Sequence, residues 1–304
     1  MTSTQLEELL HLQNETLHRL DRVKNGQAVH VGQGQVLTRL FTGQKIFLDA
    51  RDISVAPALM MDGHWEVEAT DLMRRLLTPS STFLDVGANV GYFGLVAGTI
   101  VSGDRGGSIH MIEANPELVP LIFKSINVTG LLGTATVANL AITDQVGEVE
   151  LQVVKDLLGS SSLFDLRSEF EADAEGRTEI GFEVDKVVTV PATTLDRYAE
   201  SAGLERVDLV KLDVESYEEQ AYRGMAGIIE RNRAHLAVML EFTWERTPDA
   251  EAFVASILDD FRQVKVIEHG TGRLRTITSH GELMAAMGDE EWIMVVAANR
   301  SLDV

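Results

Sequence analysis

The chain has 304 residues, of which 45% are apolar and 24% are charged, a composition typical of a globular protein with a sizeable core. Acidic residues outnumber basic ones 47 to 26, and the net charge of −21 disfavours nucleic acid and anionic membranes as partners. The chain has no cysteine, which excludes disulfides, thiol nucleophiles and cysteine–zinc sites and fits a reducing compartment. The first residues lack the basic segment of a signal peptide and no apolar run is long enough to span a bilayer, so we expect a cytoplasmic protein.

Residues 4–24 have the spacing of an amphipathic helix. The apolar positions follow the alternating four- and three-residue spacing of a coiled-coil seam, with Gln13 as the polar exception: Leu6, Leu10, Leu17 and Leu20. Two heptads are too few to decide between a helix that packs on its own domain and a helix that forms a homodimer. We assign residues 1–27 to an N-terminal helical segment and leave both roles open.

A small β-rich lead-in is predicted for residues 28–80. The segments QVLTRLF and KIFLD, separated by a three-residue loop around Gly43, have the pattern of a β-hairpin. Residues 66–77 return to helical spacing, with their apolar side chains on one face. We therefore expect a hairpin and a helix ahead of the main domain.

From Thr82 onward, strands and helices alternate, which is typical of a parallel sheet with helices on both faces. The predicted strands are 82–86, 109–113, 135–142, 207–212, 236–242, 263–268 and 292–298. A helix at 249–260 precedes the last two strands, and since no convincing crossover helix joins them, we expect the final strand to be antiparallel. The polar stretch 165–185 interrupts the alternation and is predicted to be a surface excursion. Residues 81–304 thus form one α/β domain with a seven-stranded sheet.

The most informative segment is the predicted turn after the first strand of this domain, FLDVGANVGYFG. It places Asp85 at the strand end, followed by Gly87, Asn89 and Gly91 ahead of a helix. Glycines in such a turn let the backbone approach a ligand and adopt dihedral angles closed to other residues. Glu113 ends the second strand, where an acidic side chain is placed to accept hydrogen bonds from both ribose hydroxyls. The pattern predicts a site for a cofactor that contains a nucleoside.

Two cofactor classes contain a ribose that fits this arrangement. The glycines at 87, 91 and 94 miss the GxGxxG spacing of a dinucleotide site, and none of the four tyrosines begins the Tyr-x-x-x-Lys motif of short-chain dehydrogenases. Asp85, just ahead of the turn, suits the ammonium and sulfonium groups of S-adenosylmethionine better than it suits a pyrophosphate. S-adenosylmethionine is therefore the expected cofactor, and a nicotinamide-dependent oxidoreductase is the alternative.

Several ordered motifs make the chain similar to one family of methyltransferases. They are FLDVGANVGYFG, IEANPE around Glu113, NLAITDQVGEVEL around the third strand, TLDRY at 194–198, VDLVKLDVESYEEQAYRGM at 207–225 and the lead-in segment MDGHWEVEA. On these motifs the chain resembles the FkbM-family S-adenosylmethionine-dependent methyltransferases over residues 60–300. Residues 1–58 are not explained by the resemblance.

The resemblance implies a class I, Rossmann-like methyltransferase fold and transfer of a methyl group to a hydroxyl on a sugar, glycolipid or polyketide-type natural product. Tyr92 and Ala141 are implied as cofactor-binding positions by their place in the matching motifs. The full set of expected cofactor-binding residues is Asp85, Gly87, Asn89, Gly91, Tyr92, Glu113, Ala141 and Asp213. Where the family usually reads Asp-Val-Glu-Gly, this chain has Ser216 after Glu215, so the identity of the acceptor does not transfer.

Acidic side chains follow the fourth and fifth predicted strands, at the edge where parallel α/β sheets bind ligands. Asp213 and Glu215 follow the fourth strand, and Glu241 ends the fifth. An alcohol is almost fully protonated at neutral pH, so hydroxyl methylation benefits from a positioned base or a metal. We expect catalytic roles for Asp213 and Glu215, with His64 in the segment GHWE as a further candidate base. Asp213 and Glu241 could hold Mg²⁺, but a carboxylate pair without further ligand spacing does not favour a metal.

The expected partners are a small-molecule or glycan hydroxyl acceptor and, through the N-terminal helix, a second copy of the chain. A protein of methyltransferase fold that binds S-adenosylmethionine and acts as a scaffold stays open as an alternative, alongside the oxidoreductase. Titration with S-adenosylmethionine and with NAD separates the three, because the oxidoreductase predicts NAD binding and the scaffold predicts no turnover.

Overall fold

The computed structural model describes residues 28–154, 156–157, 159, 161–163 and 184–302. The predicted N-terminal helix and nearly all of the predicted surface excursion lie outside the described residues, so self-association through residues 4–24 stays a prediction. The longest helices in the described part have 11 residues, which is too short to cross a bilayer.

The lead-in contains a three-stranded antiparallel sheet. Its strands are β1 (Val29–Gly32), β2 (Gln35–Arg39) and β3 (Lys45–Asp49), and the predicted hairpin is the pair β2–β3. Helices α1 (Ala56–Met61) and α2 (Val67–Leu76) follow. The backbone amide of Phe47 in β3 donates to the Ser125 hydroxyl at 2.9 Å, which ties the lead-in to a helix of the main domain.

The main domain contributes the remaining strands of the described chain. In chain order they are β4 (Thr82–Val86), β5 (Ser108–Glu113), β6 (Ala135–Asn139), β7 (Ala141–Ile142), β8 (Gly147–Val154), β9 (Val184–Thr193), β10 (Leu209–Leu212), β11 (Ala237–Phe242), β12 (Gln263–Ile267), β13 (Leu274–Thr276) and β14 (Ile293–Ala298).

Eight of these strands form one mixed sheet in the order β13-β12-β14-β11-β10-β4-β5-β6. The strands from β11 to β6 are parallel, and β14 pairs antiparallel with both β11 and β12. The other three strands form a small sheet in which β9 pairs antiparallel with β8 and parallel with β7. The predicted α/β fold with an antiparallel final strand is confirmed.

Helices cover both faces of the large sheet. They are α3 (Tyr92–Ala97), α4 (Val119–Thr129), α5 (Leu195–Ser201), α6 (Glu218–Arg223), α7 (Ala226–Asn232), α8 (Ala250–Asp260) and α9 (His280–Met287), with a 3-10 turn at Gly103–Arg105. Successive strand residues point to opposite faces, so Phe83 joins a hydrophobic cluster with α1 to α4 and Leu84 joins another with α5 to α9. Burial on both faces explains why the central strands are almost continuously apolar.

The predicted strand 135–142 is wrong in one respect, because it divides after Asn139. The Asn139 side-chain amide donates to the backbone carbonyl oxygens of Glu113 at 2.9 Å and Ala114 at 2.8 Å. The chain then leaves the large sheet, and β7 pairs with β9. This break sets the end of β6 next to the loop that carries Glu113.

The expected absence of a helix between the last two predicted strands is also wrong. Strand β13 and helix α9 lie between them, so the large sheet has eight strands rather than seven. The Ser279 hydroxyl caps α9 by accepting from the Glu282 amide at 3.3 Å, and the Glu282 carboxylate accepts from the Thr278 amide at 2.7 Å. The Ser-x-x-Glu pattern is a helix-start signal in the sequence, although Glu282 accepts from the Thr278 amide rather than from the Ser279 amide that a capping box uses.

Candidate functional site

A cavity opens at the carboxyl edge of the sheet, between the ends of β4 and β10. Chain order reverses here, since β5 lies on one side of β4 and β10 on the other, and open α/β sheets bind ligands at such a point. The lining residues include Gly87, Glu113, Leu140 and Ala141. We call it the glycine-loop cavity.

A larger cavity of about 670 Å³ adjoins the first one. Its lining residues include Trp65, Trp244 and Trp292, and we call it the tryptophan cavity. Four residues line both cavities: Asn89, Gly159, Asp213 and Glu215. Two of the three predicted catalytic residues therefore lie at the junction of the two spaces.

Gly87 holds the two strand-end loops of the junction against each other. Its φ is +77°, and its amide donates to the Ile112 carbonyl at 2.9 Å. A Cβ on Gly87 would overlap the carbonyl oxygen of Asp213 and lie 2.7 Å from its carbonyl carbon. The Asp213 amide in turn donates to the Val86 carbonyl at 3.1 Å. Glycine is required here because the two loops touch backbone to backbone.

Gly91 and Tyr92 lie in the core, although the sequence predicted both at the cofactor. Gly91 starts α3 with φ +86°, and a Cβ there would lie 3.2 Å from Ile122 and 3.3 Å from the Met111 sulfur. Tyr92 is buried, and its hydroxyl oxygen accepts from the Thr70 hydroxyl at 3.2 Å. Neither residue is among the described residues that line the two cavities, and cofactor binding by Gly91 and Tyr92 stays a prediction.

Glu113 and Ala141 line the glycine-loop cavity, as the sequence predicted. The Glu113 carboxylate accepts from the Asn89 amide through Oε2 and from the Asn115 amide through Oε1, both at 2.7 Å. Burial raises the pKa of Glu113 to about 7, and these two hydrogen bonds partly oppose that shift. Each carboxylate oxygen has a second lone pair, so the side chain can still accept from two ribose hydroxyls.

Asp85 is fully buried and does not line either cavity, although the sequence predicted that it binds the cofactor. Its Oδ2 accepts from the Gly94 amide in α3 at 2.9 Å, so the carboxylate orders the helix start. Burial raises its pKa to about 6, and the Lys211 ammonium opposes the shift.

Lys211 is a buried cation in the middle of β10. Its side chain is 2% exposed, and Nζ donates to Asp213 Oδ2 at 2.6 Å. Nζ also lies 4.3 Å from the centre of the Phe93 ring. A charge removed from water needs such partners, so Lys211 fixes the Asp213 carboxylate from the strand side.

The loop after β10 is held in an unusual backbone conformation. Glu215 has φ +52° and Ser216 has φ +77°, both in the left-handed region. Glu218, the first residue of α6, accepts from the Val214 amide at 2.8 Å, and burial raises its pKa to about 7. The left-handed φ of Ser216 is one that glycine adopts more readily than serine. Two consecutive strained residues at a cavity junction favour a functional role for the loop.

Four carboxylates converge where the tryptophan cavity meets the junction, and we call them the inner carboxylates: Glu66, Asp213, Glu215 and Glu241. Burial raises the pKa of Glu66 to about 7, that of Glu215 to about 8 and that of Glu241 well above its usual range. Repulsion from neighbouring carboxylates adds to each shift. Three of these side chains, Glu66, Asp213 and Glu241, each have a carboxylate oxygen within 4.8 Å of the other two. Glu66 thus adds a third carboxylate to the pair that the sequence offered for Mg²⁺.

His64 is placed away from this junction. It is buried and stacked on Phe41, with ring centres 3.8 Å apart and planes inclined by 17°. Its neighbours Trp65 and Glu66 line the tryptophan cavity, whereas His64 is not among the described lining residues. The structure therefore brings Asp213 and Glu215 together and leaves the third predicted catalytic residue in the lead-in core.

The sequence analysis missed three residues of the site: Lys211, Trp244 and Trp292. A lysine inside the apolar strand pattern of VDLVKLDV was a usable signal, because a buried lysine must be paired. The two tryptophans carried no local signal. Trp244 follows β11 and Trp292 precedes β14, and the antiparallel pairing of these strands brings both to one edge of the sheet.

The family assignment follows from the sequence over the same region. The sequence model described as Methyltransferase FkbM domain matches residues 85–287, more than half of the chain. The chain belongs to the FkbM methyltransferase family. The matched span includes the glycine loop, Glu113, the loop after β10 and Glu241. No curated protein matches the chain.

Three solved structures similar to this FkbM-family chain are described as methyltransferases. Methyltransferase FkbM from Methylobacillus flagellatus is 11% identical, with 72% of this chain and 44% of that chain covered and a TM-score of 0.42. Precorrin-6y C5,15-methyltransferase from Geobacter metallireducens is 14% identical, with 78% and 88% covered and a TM-score of 0.40. An O-methyltransferase from Thermotoga maritima is 12% identical, with 91% and 86% covered and a TM-score of 0.40.

Membership of this methyltransferase family implies S-adenosylmethionine as the cofactor, and the lining of the glycine-loop cavity, a space of about 50 Å³, offers groups of matching chemistry. Glu113 adds a carboxylate of the kind that accepts hydrogen bonds from ribose hydroxyls, and Ile112, Leu140 and Ile142 give apolar walls that suit an adenine ring. Asp213 and Glu215 place carboxyl groups on the other side of the cavity, which suits the cationic end of the cofactor. The donor set and the cavity lining therefore agree with the family assignment.

Proposed function

We propose that the protein transfers a methyl group from S-adenosylmethionine to a hydroxyl of a small molecule or glycan. The observation that carries this proposal is the junction, where Asp213 and Glu215 line both the cavity that we assign to the cofactor and the larger cavity beside it. An acceptor in the tryptophan cavity would meet two carboxylates at the point of transfer. The family resemblance supports a hydroxyl on a sugar, glycolipid or polyketide-type compound as the acceptor.

The chain's own residues would bind the cofactor, orient the acceptor and take the proton from its hydroxyl. S-adenosylmethionine, when bound, supplies the methyl group, with the new C–O bond forming as the C–S bond to the sulfonium breaks. Glu113 would hold the ribose. Lys211 occupies Oδ2 of Asp213, which leaves Oδ1 to accept a hydrogen bond, and finally the proton, from the acceptor hydroxyl. Glu215 is the second candidate for that proton, because burial raises its pKa to about 8.

Calorimetric titration with S-adenosylmethionine and with NAD tests the proposed cofactor. We expect binding of S-adenosylmethionine and none of NAD, because the glycine loop lacks the dinucleotide spacing. Methyl transfer from labelled S-adenosylmethionine to a panel of hydroxylated acceptors then tests the reaction. Binding of NAD alone would contradict the proposal, and cofactor binding without turnover on any acceptor would favour the scaffold.

Glu113→Gln should weaken S-adenosylmethionine binding by about 10- to 100-fold, the range that corresponds to loss of a charged hydrogen-bonding partner. The amide offers only one acceptor oxygen, whereas Glu113 accepts from both Asn89 and Asn115. Glu117→Gln is the matched control. Glu117 lies four residues after Glu113, is partly exposed and forms an ion pair with Lys186. Equal affinities of the two variants in calorimetry would exclude a ribose-binding role for Glu113.

A further inference from the structure

The tryptophan cavity is lined by many more acidic than basic side chains. Beyond the inner carboxylates, four exposed acids line it, and we call them the rim acids: Glu245, Asp289, Glu290 and Glu291. Arg246 is the single basic residue among the described residues that line this cavity. A cleft lined by charges of one sign concentrates ligands of the opposite sign. The lining therefore disfavours an anionic acceptor, such as a phosphorylated sugar, and favours a cation.

All three tryptophans of the chain line this one cavity. Trp244 stacks on His280 with ring centres 4.7 Å apart and remains 37% exposed, and Trp292 packs edge-on against His269 at 4.8 Å. An organic ammonium is attracted to the face of an indole ring by the ring quadrupole, most strongly for tryptophan. Aromatic rings that alternate with carboxylates are a lining suited to a protonated amine.

Glu66 gives an independent indication of a missing ligand. Trp65 donates from Nε1 to Glu66 Oε1 at 2.9 Å, whereas Oε2 is buried and accepts no hydrogen bond within the described residues. Leaving a buried carboxylate oxygen without a donor is unfavourable. An ammonium group carries three N–H donors and would satisfy this oxygen together with neighbouring carboxylates.

An organic ammonium accounts for this lining better than a divalent metal does. The acids extend from the junction to the exposed rim, whereas Mg²⁺ or Ca²⁺ needs oxygens gathered at about 2.0–2.6 Å around one point. Lys211 already pairs with Asp213, one of the three carboxylates close enough to share an ion. The tryptophans offer no metal ligand, and they are the surfaces on which an organic cation stacks.

We propose that the acceptor is an aminated polyhydroxyl compound, in chemical class an amino sugar. Its ammonium group binds at the inner carboxylates near Trp65, and a neighbouring hydroxyl reaches the junction at Asp213. The cavity of about 670 Å³ lies in the size range of small-molecule sites and admits more than one sugar ring. This inference rests on the proposed function, because the hydroxyl at the junction is the methyl acceptor.

Intrinsic tryptophan fluorescence tests this proposal without any need for turnover, because every tryptophan lines the cavity. The full chain is titrated with the trisaccharide of glucosamine, with its fully N-acetylated counterpart and with glucosamine 6-phosphate. The first two probes share a sugar backbone and differ only in that three ammonium groups of the first are acetamido groups in the second. We expect the glucosamine trisaccharide to bind at least about 10-fold more tightly than its N-acetylated counterpart, and we expect this preference to fall at high salt.

Two triple variants, each of which removes three acidic charges, test whether the amine binds at the tryptophan cavity. The triple variant Asp289→Asn, Glu290→Gln, Glu291→Gln removes rim acids and should reduce affinity for the amine about 10-fold, with little effect on the N-acetylated sugar. The control removes three exposed acids at the opposite edge of the sheet: Glu200→Gln, Glu205→Gln and Glu230→Gln. The control should bind the amine as the unmodified chain does, which separates a local effect from one of net charge.

Equal binding of the two trisaccharides, preference for the phosphorylated sugar, or equal losses in the two triple variants would overturn the proposal. So would a fluorescence change with MgCl₂ alone that the amine does not compete away, because the carboxylates would then form a metal site. Calorimetry with S-adenosylmethionine runs in parallel on the same protein. If the cofactor fails to bind while the amine preference holds, the proposed function fails and the amine site stands.

Discussion

Gly87→Ala should strongly weaken S-adenosylmethionine binding and lower the stability of the fold, while Gly106→Ala should do neither to a comparable extent. Both glycines have the same left-handed backbone, with φ +77° at Gly87 and +79° at Gly106. A Cβ at Gly106 would meet nothing within 4 Å, whereas at Gly87 it would overlap the Asp213 carbonyl oxygen. The pair therefore separates backbone strain, common to both variants, from a steric clash that only one of them has.

Urea unfolding and calorimetry give the two readouts for this pair. Left-handed strain at a non-glycine residue is about 1–2 kcal/mol, and we expect Gly106→Ala to lose no more than that. Gly87→Ala must also move the loop after β4 away from the loop after β10, so we expect a further loss of about 2–3 kcal/mol. Cofactor affinity should fall about 100-fold or more, because the displaced loops line the glycine-loop cavity. Similar unfolding free energies for the two variants would show that the loops separate freely and that Gly87 is not a structural contact.

The central strands could be predicted from sequence because burial on both faces demands uninterrupted apolar residues. The predicted strand 82–86 matches β4, and the strands predicted at 236–242 and 292–298 differ from β11 and β14 by one residue at the start. The division at Asn139 could not be predicted, since it depends on side-chain hydrogen bonds to a neighbouring strand-end loop. The Ser-x-x-Glu pattern at Ser279 is present in the sequence as a helix-start signal. It is short, and the apolar strand patterns on either side of it are stronger.

The candidate site could be predicted where position along a strand determines it. Glu113 ends β5, and Asp213 and Glu215 follow β10; the carboxyl ends of these parallel strands meet at one edge, and each residue lines a cavity. The glycine pattern did not distinguish Gly87, which touches another loop, from Gly91, which packs on Met111 and Ile122. Both have positive φ, so their sequence signal is the same, and only tertiary contacts separate them.

Asp213→Asn should lower turnover about 100-fold or more while changing the dissociation constant of S-adenosylmethionine little. The amide preserves the size of the side chain and can still accept one hydrogen bond from the Lys211 ammonium, but it cannot take a proton from the acceptor hydroxyl. Single-turnover kinetics and calorimetry on the same preparation separate the two effects. If Asp213 instead binds the cationic end of the cofactor, binding weakens and the rate at saturation is preserved.

Glu215→Gln is the matched control for that experiment, since both residues line the same junction and both variants replace one carboxylate. With Asp213 as the base, we expect Glu215→Gln to retain turnover within about threefold, since positioning alone would then be disturbed. With Glu215 as the base, the unmodified enzyme would lose rate as pH falls below about 8, because only the ionised carboxylate accepts a proton and burial raises its pKa to about 8. Glu215→Gln would then remove both the rate and that pH dependence.

Lys211 sets the remaining condition on this prediction. In Asp213→Asn the buried ammonium loses its full ion pair, although the carboxylates of Glu66 and Asp85 also act on it electrostatically. Thermal unfolding must therefore show that the variant is folded before its rate is interpreted. Addition of a chelator to the unmodified enzyme tests the metal, since a Mg²⁺ shared by Asp213, Glu66 and Glu241 would make turnover sensitive to chelation. Normal turnover in a folded Asp213→Asn variant would exclude Asp213 both as the general base and as a ligand of a required metal. Glu215 would then be the group at the junction able to accept the proton.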